Sequence, residues 1–159
     1  MVLQYQVGDA TRPSGTDPKV IVHICNDLGG WGAGFVMALS RRWREPEEAY
    51  SRWVLGSEPT PFELGQVQFV QVEPDLWVAN MIAQQNTVRR LNEPPIRYDA
   101  VRECLTKVVD FAKEHGASVH MPRIGSGIAG GDWTKIARII EDTVVAAGVP
   151  VTVYDLPGR

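Results

Sequence analysis

Val20-Ile21-Val22-His23-Ile24-Cys25 runs straight into Asn26-Asp27-Leu28-Gly29-Gly30-Trp31-Gly32-Ala33-Gly34, after which Phe35, Val36, Leu39 and Trp43 recur at helical spacing. The first six residues form a continuous apolar run, the pattern of a strand buried on both faces. Strand, glycine loop and helix in that order make the unit from which layered α/β sheets are built. The same unit returns near the end of the chain. Ser118-Val119-His120-Met121 reads as a strand, Pro122-Arg123-Ile124 leads out of it, and Gly125-Ser126-Gly127-Ile128-Ala129-Gly130-Gly131 follows. Ile136, Ile139, Ile140, Val144 and Val145 then mark a last long helix, ended by Gly148 and Pro150. Eight of the chain's 15 glycines fall in these two loops. Glycine lets the backbone adopt positive φ and come close to another group, so two such loops in so short a chain are its main functional signal.

Working outward, Val2 to Val7 alternates weakly and reads as a short first strand, stopped by Gly8-Asp9-Ala10-Thr11. Residues 12 to 18 form a turn cluster. Pro46 with Glu47 and Glu48 opens a second helix, proline in the first turn and acids near the positive end, with Tyr50 and Trp53 on its apolar face. Val67 to Val72 and Leu76 to Ile82 are two strands joined at Glu73-Pro74-Asp75 as a hairpin. Thr87 to Glu93 is a polar, basic loop. Tyr98, Val101, Leu105, Val108, Val109 and Ala112 share one helix face, closed by Gly116. Val151-Thr152-Val153-Tyr154 is the final strand. Strands and helices interleave without a repeat, a low-complexity tract or a linker. Residues 1–159 therefore read as one α/β domain, three layers α/β/α around a mixed, mostly parallel sheet.

The totals exclude several classes of function. A chain of 159 residues with 44% hydrophobic and 22% charged residues folds as one globular core. No apolar run approaches the roughly 18 residues of a membrane span, and Met1 to Tyr5, with no basic n-region and no long apolar core, leads us to expect no secretory leader. A net charge of −3 carries no basic footprint for duplex nucleic acid. Cys25 and Cys104 lie far apart without a CxxC partner, so neither structural zinc nor a disulfide framework is expected, and no metal site or cofactor is assigned. Two reduced cysteines suit a cytoplasmic protein, expected as a monomer.

Each glycine loop leads from a buried strand toward a helix, where free backbone N–H groups and the positive end of the helix dipole point the same way. A diphosphate is the natural guest of such a place. Gly125 to Gly130 matches GxGxxG literally, but too little chain follows for a βαβ unit, and Pro150 stands where the ribose-binding acid belongs. Neither loop ends in Gly-Lys-Ser/Thr, which excludes a P-loop. Two loops after two strands suggest one phosphate group gripped from both sides. Asp9 suits either an adenine amino group or an Asx-turn. Tyr154 suits either stacking on a base or a place at the core edge. Trp31 is either a lid over the ligand or an anchor of its loop. Asp132 reads as the N-cap of the last helix.

Together these residues resemble the macrodomain family, which binds ADP-ribose. Gly8-Asp9 resembles the family's adenine-recognising Gly-Asp, with Ala10 expected to bind ligand beside it. His23 to Asp27, then Trp31-Gly32-Ala33-Gly34-Phe35, resembles the first ribose and phosphate loop. Met121-Pro122-Arg123-Ile124-Gly125-Ser126-Gly127-Ile128, with Ala129, resembles the second, and Val151 to Leu156 the closing strand with its tyrosine beside adenine. Within the family the pattern looks like the terminal ADP-ribose protein glycohydrolases and the ADP-ribose-1″-phosphate phosphatases. The resemblance implies partners in ADP-ribose and ADP-ribosylated proteins, and removal of ADP-ribose ester-linked to protein glutamate or aspartate. The alternatives are a non-catalytic reader of ADP-ribosylated protein and a phosphatase of ADP-ribose 1″-phosphate.

The departures from the subgroup bear on mechanism. The glycohydrolase's lysine falls here on Gln84 or Gln85 and its aspartate on Ala129, so a lysine adduct at C1″ is not available. An ester at the anomeric carbon already has a good leaving group and needs positioning and a placed water more than a strong nucleophile. Asn26 is the candidate to hold the distal ribose hydroxyls, Gln84 or Gln85 to orient a water or the ester carbonyl. Asp27 is either the general base or a solvent-facing loop acid. His23 is expected to point into the core or pair with a neighbour. Arg89, Arg90 and Arg97 form either a basic rim that meets an acidic substrate or a solvated loop.

Overall fold

A computed structural model describes residues 3–86, 94–127 and 129–158. The strands are β1 (Gln4–Val7), β2 (Lys19–Asn26), β3 (Val67–Glu73), β4 (Leu76–Gln84), β5 (Ser118–Met121) and β6 (Val151–Asp155). They form one sheet in the order β1-β6-β5-β2-β4-β3. All neighbours run parallel except β3 and β4, the antiparallel hairpin. Asp75 at its turn takes a left-handed φ of 59°.

The helices are α1 (Phe35–Arg42), α2 (Glu45–Val54), α3 (Tyr98–His115) and α4 (Trp133–Ile140). Alternation along the strands builds the layers. On β2, Val20 and Val22 face one core with Ala79, Met81 and the buried faces of α3 and α4. Ile21 and Cys25 face the other, with Val78, Ile82, Leu39, Tyr50 and Trp53 of α1 and α2. Fully burying a Val, Ile, Leu or Met side chain in either core stabilises the fold by about 1.5–3 kcal/mol. The domain is thus the three-layer α/β/α sandwich with a mixed, mostly parallel sheet that the interleaved pattern implied. Among the described residues no helix is long and apolar enough to cross a membrane.

The helix ends follow their sequence signals, with one correction. Pro46 sits in the first turn of α2 beside Glu45, Glu47 and Glu48. Gly116 closes α3 in the left-handed region at φ 62°. Asp132 caps α4, accepting from Thr134 N–H at 2.9 Å. The last long helix is α-helical only to Ile140, and Glu141–Val145 continues as a π-helical turn. Ala146 N–H reaches back five residues to Glu141 O at 2.9 Å, while the Thr143 hydroxyl donates to Ile139 O at 2.7 Å. The wider turn keeps Val144 and Val145 buried, so apolar spacing alone did not reveal it.

Candidate functional site

The chain leaves β2 toward β4 and β3 on one side and leaves β5 toward β6 on the other. Loops departing in opposite directions from adjacent strands open a crevice at their carboxyl ends, the place where open α/β sheets bind ligands. A cavity of about 320 Å³ lies there. Both glycine loops line it. The first contributes Asn26, Gly30, Gly32, Ala33 and Gly34, with Phe35 and Val36 at the start of α1; the second contributes Pro122, Arg123, Ile124, Gly125, Gly127 and Ala129. His23, Ile24, Cys25 and Gln84 complete the wall.

Two glycines reveal what the wall is shaped for. A Cβ placed on Gly32 or on Gly127 would meet nothing within 4 Å, and neither residue has a left-handed φ. Internal packing and backbone conformation therefore leave room for a side chain at both. Their bareness keeps the backbone open to whatever fills the space between the loops. Gly125 differs. Its φ is 72°, and a Cβ there would run into Ile96 and Ile136.

The two loops present amides differently. Gly34, at φ 87°, precedes α1, and no side chain caps that helix. Met37 N–H turns back to Gly34 O at 3.1 Å. The amides of Phe35 and Val36 stand at the positive end of the helix, where no intrahelical acceptor exists. The second loop does not deliver into a free helix end, a correction to the symmetric cradle expected from sequence. Asp132 occupies the N-terminus of α4, and Asp132 N–H donates to Tyr98 Oη at 2.9 Å. That loop folds on itself instead, through Gly130 N–H to Gly127 O at 2.9 Å and Gly131 N–H to Gly125 O at 2.7 Å.

The side chains proposed for chemistry are engaged within the protein. Asn26 Oδ1 accepts from Leu28 N–H at 2.9 Å and Gly30 N–H at 3.0 Å, and its Nδ2 donates to Gly30 O at 2.8 Å. Its amide thus shapes the loop. Asp27 is not on the cavity wall, and its Oδ1 accepts from Asn86 N–H at 2.8 Å. Gln84 is the glutamine on the wall, its Nε2 donating to Asn86 O at 3.0 Å. Gln85 turns away and accepts from Arg97 Nε at 2.9 Å. Arg97 also donates to the carbonyls of Pro94 and Ile96, so it clamps its own segment. Arg89, Arg90 and Ile128 lie outside the described residues.

Trp31 is an anchor. It is 9% exposed, donates Nε1–H to Ser40 Oγ at 2.8 Å and packs against His23 and Tyr50. Gly8, Asp9, Ala10, Ser126 and Tyr154 also lie off the cavity wall. Asp9 forms the Asx-type turn, accepting from Thr11 N–H and Oγ1–H, both at 2.8 Å. Ala10 is buried, and Ser126 Oγ donates to Arg123 O at 2.7 Å. Tyr154 is buried beside Gly8, its Oη bonded to His120 Nδ1 at 2.8 Å and accepting from Ser14 N–H at 3.0 Å. Arg123 makes a two-bond pair with Asp155, at 2.7 and 3.0 Å, and its guanidinium lies over the Tyr5 and Trp133 rings. The pair raises the arginine pKa and lowers that of Asp155.

His23 forms the polar floor. It pairs with Asn80 Oδ1, and Asn80 Nδ2 donates to Pro46 O and Gln68 Oε1. Burial lowers the histidine pKa to about 4 despite the Asn80 bond, so it is neutral near pH 7. Burial also pushes the Cys25 thiol well up, so it stays protonated. His23, Ile24 and Cys25, in the segment that resembles the first ribose and phosphate loop, and Gly30 of the glycine loop all line the wall, as does Val36, to which the sequence assigned only a place on the helix face.

Fold and site together define an α/β domain with two glycine loops lining a crevice at the switch point of its sheet. The chain belongs to the macrodomain family. It is 52% identical to a macrodomain protein from Streptomyces coelicolor, over 96% of this chain and 98% of that one, with a TM-score of 0.85. A Bacteroides thetaiotaomicron protein described as of unknown function is 55% identical over 98% of this chain and 99% of that one, with a TM-score of 0.94. Chromodomain-helicase-DNA-binding protein 1-like from Danio rerio is 32% identical over 96% of this chain, which spans only 15% of that protein's length. DarTG of Thermosipho africanus, solved in complex with ADP-ribose, shares 16% identity over 88% of this chain and 38% of its own, at a TM-score of 0.66, a likeness of fold. No family model matches the chain.

Proposed function

We propose that this chain binds ADP-ribose in the β2/β5 crevice and hydrolyses the ester joining ADP-ribose to a glutamate or aspartate of a protein. The carrying observation is the pair of bare glycines, Gly32 and Gly127, on opposite loops of one cavity beside the uncapped start of α1. In this reading the diphosphate lies on the amides of Phe35 and Val36 from one side and on the second loop from the other. The adenine end extends toward Gly8, Asp9, Ala10 and Tyr154. The distal ribose lies near Asn26 and Gln84, where water adds at C1″, the carboxylate departs with the ester's bonding electrons, and the proton lost by the water passes to solvent. Such a leaving group needs no strong acid, which suits a wall whose histidine and thiol stay neutral. The ADP-ribose in the DarTG complex supports the ligand class.

A second reading, a reader that binds ADP-ribosylated protein without turnover, is favoured by one observation: Asn26, Asp27, Gln84 and Gln85 each spend polar atoms on internal hydrogen bonds. One experiment separates the readings. The protein is incubated with substrates carrying glutamate-linked, serine-linked or arginine-linked ADP-ribose, and release is measured beside calorimetric binding of ADP-ribose. Release from glutamate alone supports the hydrolase; binding without release supports the reader. Inorganic phosphate freed from ADP-ribose 1″-phosphate would identify a phosphatase. No binding at millimolar ADP-ribose would end all three.

A further inference from the structure

A glycine-rich segment is costly to hold in one shape, because each glycine gives up more backbone freedom than any other residue. The first loop is nevertheless held open over the cavity by bonds that do not involve a ligand. Part of the restraint is internal, from the Asn26 side chain. The rest comes from outside. Tyr50, on α2, is 0% exposed and lies behind the loop, off the cavity wall. Its Oη donates to Asn26 O at 2.6 Å, lies 3.2 Å from Asn26 Oδ1, and accepts from Gly29 N–H at 3.2 Å. One hydroxyl therefore joins the end of β2 to the first turn of the loop. The ring backs the arrangement, its centroid 5.3 Å from Trp31 and 5.6 Å from Phe62. Burial also raises the pKa of this hydroxyl well above that of an ordinary tyrosine, so it remains a donor.

We propose that Tyr50 is a positioning residue for the phosphate cradle: its hydroxyl sets the path of the first glycine loop, and so the aim of the amides at the start of α1. This rests on the ADP-ribose reading given above. Loss of the hydroxyl leaves the ring packing in place but strands Asn26 O and Gly29 N–H, and the loop must then be ordered by the ligand. That cost falls on the ground state and the transition state alike, so affinity suffers and turnover of bound substrate does not.

The test compares wild type with Tyr50→Phe, using Trp53→Phe as control. Trp53 is also fully buried on α2 and donates Nε1–H to Thr60 O at 2.8 Å, with no bond to the loop. For Tyr50→Phe, the expected result is an ADP-ribose Kd raised about tenfold, a similar rise in KM for an ester substrate, and kcat within about twofold. Trp53→Phe lowers the melting temperature and leaves Kd unchanged. Amide hydrogen exchange without ligand provides a second readout, with faster exchange confined to residues 28–34 in Tyr50→Phe. An unchanged Kd together with unchanged exchange in that segment overturns the inference. If wild type itself fails to bind ADP-ribose, the functional reading falls, and the exchange measurement still decides what Tyr50 does to the loop.

Discussion

Lowering the pH should destabilise this protein well before its carboxylates begin to protonate, because two histidines are folded in the neutral state. His23 is buried, packs against Trp31 and Phe35 and is bonded to Asn80. His120 lies between Ser118 and Tyr154, with Nε2 2.7 Å from Ser118 Oγ and Nδ1 2.8 Å from Tyr154 Oη. Burial lowers each pKa from 6.5 to about 4; for His120, Asp17 opposes the shift and Lys19 adds to it. Between those values the unfolded chain binds protons that the folded chain refuses, so stability is intact above pH 6.5 and is lost as the pH falls toward 4. Linkage puts the loss between about pH 7.5 and about pH 5 at roughly 2 kcal/mol per histidine, so about 4 kcal/mol for the pair. Asp17 and Asp155, whose pKa values are lowered, still contribute fully at the acid end of that window. The assay is urea unfolding across the range for wild type, His23→Gln and His120→Gln. Each variant should lose about half of the pH dependence, whatever its stability at neutral pH. A wild-type stability that changes by less than about 1 kcal/mol, or a slope unaltered in both variants, would refute the reasoning.

Gly127→Glu puts bulk and negative charge into the open space between the loops at a position without left-handed φ. It should abolish ADP-ribose binding by calorimetry while circular dichroism and melting temperature stay near wild type. Gly125→Ala meets Ile96 and Ile136 at a left-handed φ, and should cost about 1–3 kcal/mol in urea unfolding. Asp27→Asn can keep an oxygen facing Asn86 N–H, so ADP-ribose affinity should hold within about twofold and release should fall less than about tenfold. A loss of about a hundredfold or more in release, with affinity kept, would make Asp27 the general base.

The layers of this fold were legible because burial leaves a local trace. The apolar run from Val20 to Cys25, the helical spacing of Leu105, Val108 and Ala112, and the glycine that closes α3 are each read within one or two turns of chain. Both glycine loops were visible for the same reason: a backbone that must leave its surface bare has to omit side chains over consecutive residues. The N-cap at Asp132 was also readable, yet its consequence was not. Capping α4 makes the second loop a folded turn instead of a second helix end, and only the hydrogen bonds to Gly127 O and Gly125 O distinguish the two.

Composition and periodicity settled the class of this chain, its layers and the two bare loops, since those depend on near neighbours and on which face meets water. Strand order did not, because a strand's sequence does not say which strand will lie beside it. Setting β2 against β5 turned two separate loops into opposing walls of one cavity. Folding also spent Asp27 on Asn86 N–H and Gln85 on Arg97, and brought Tyr50 from another helix to hold the first loop from behind. Hydrogen bonds between groups distant in sequence are satisfied only when the chain closes on itself, so no reading along the chain could assign them.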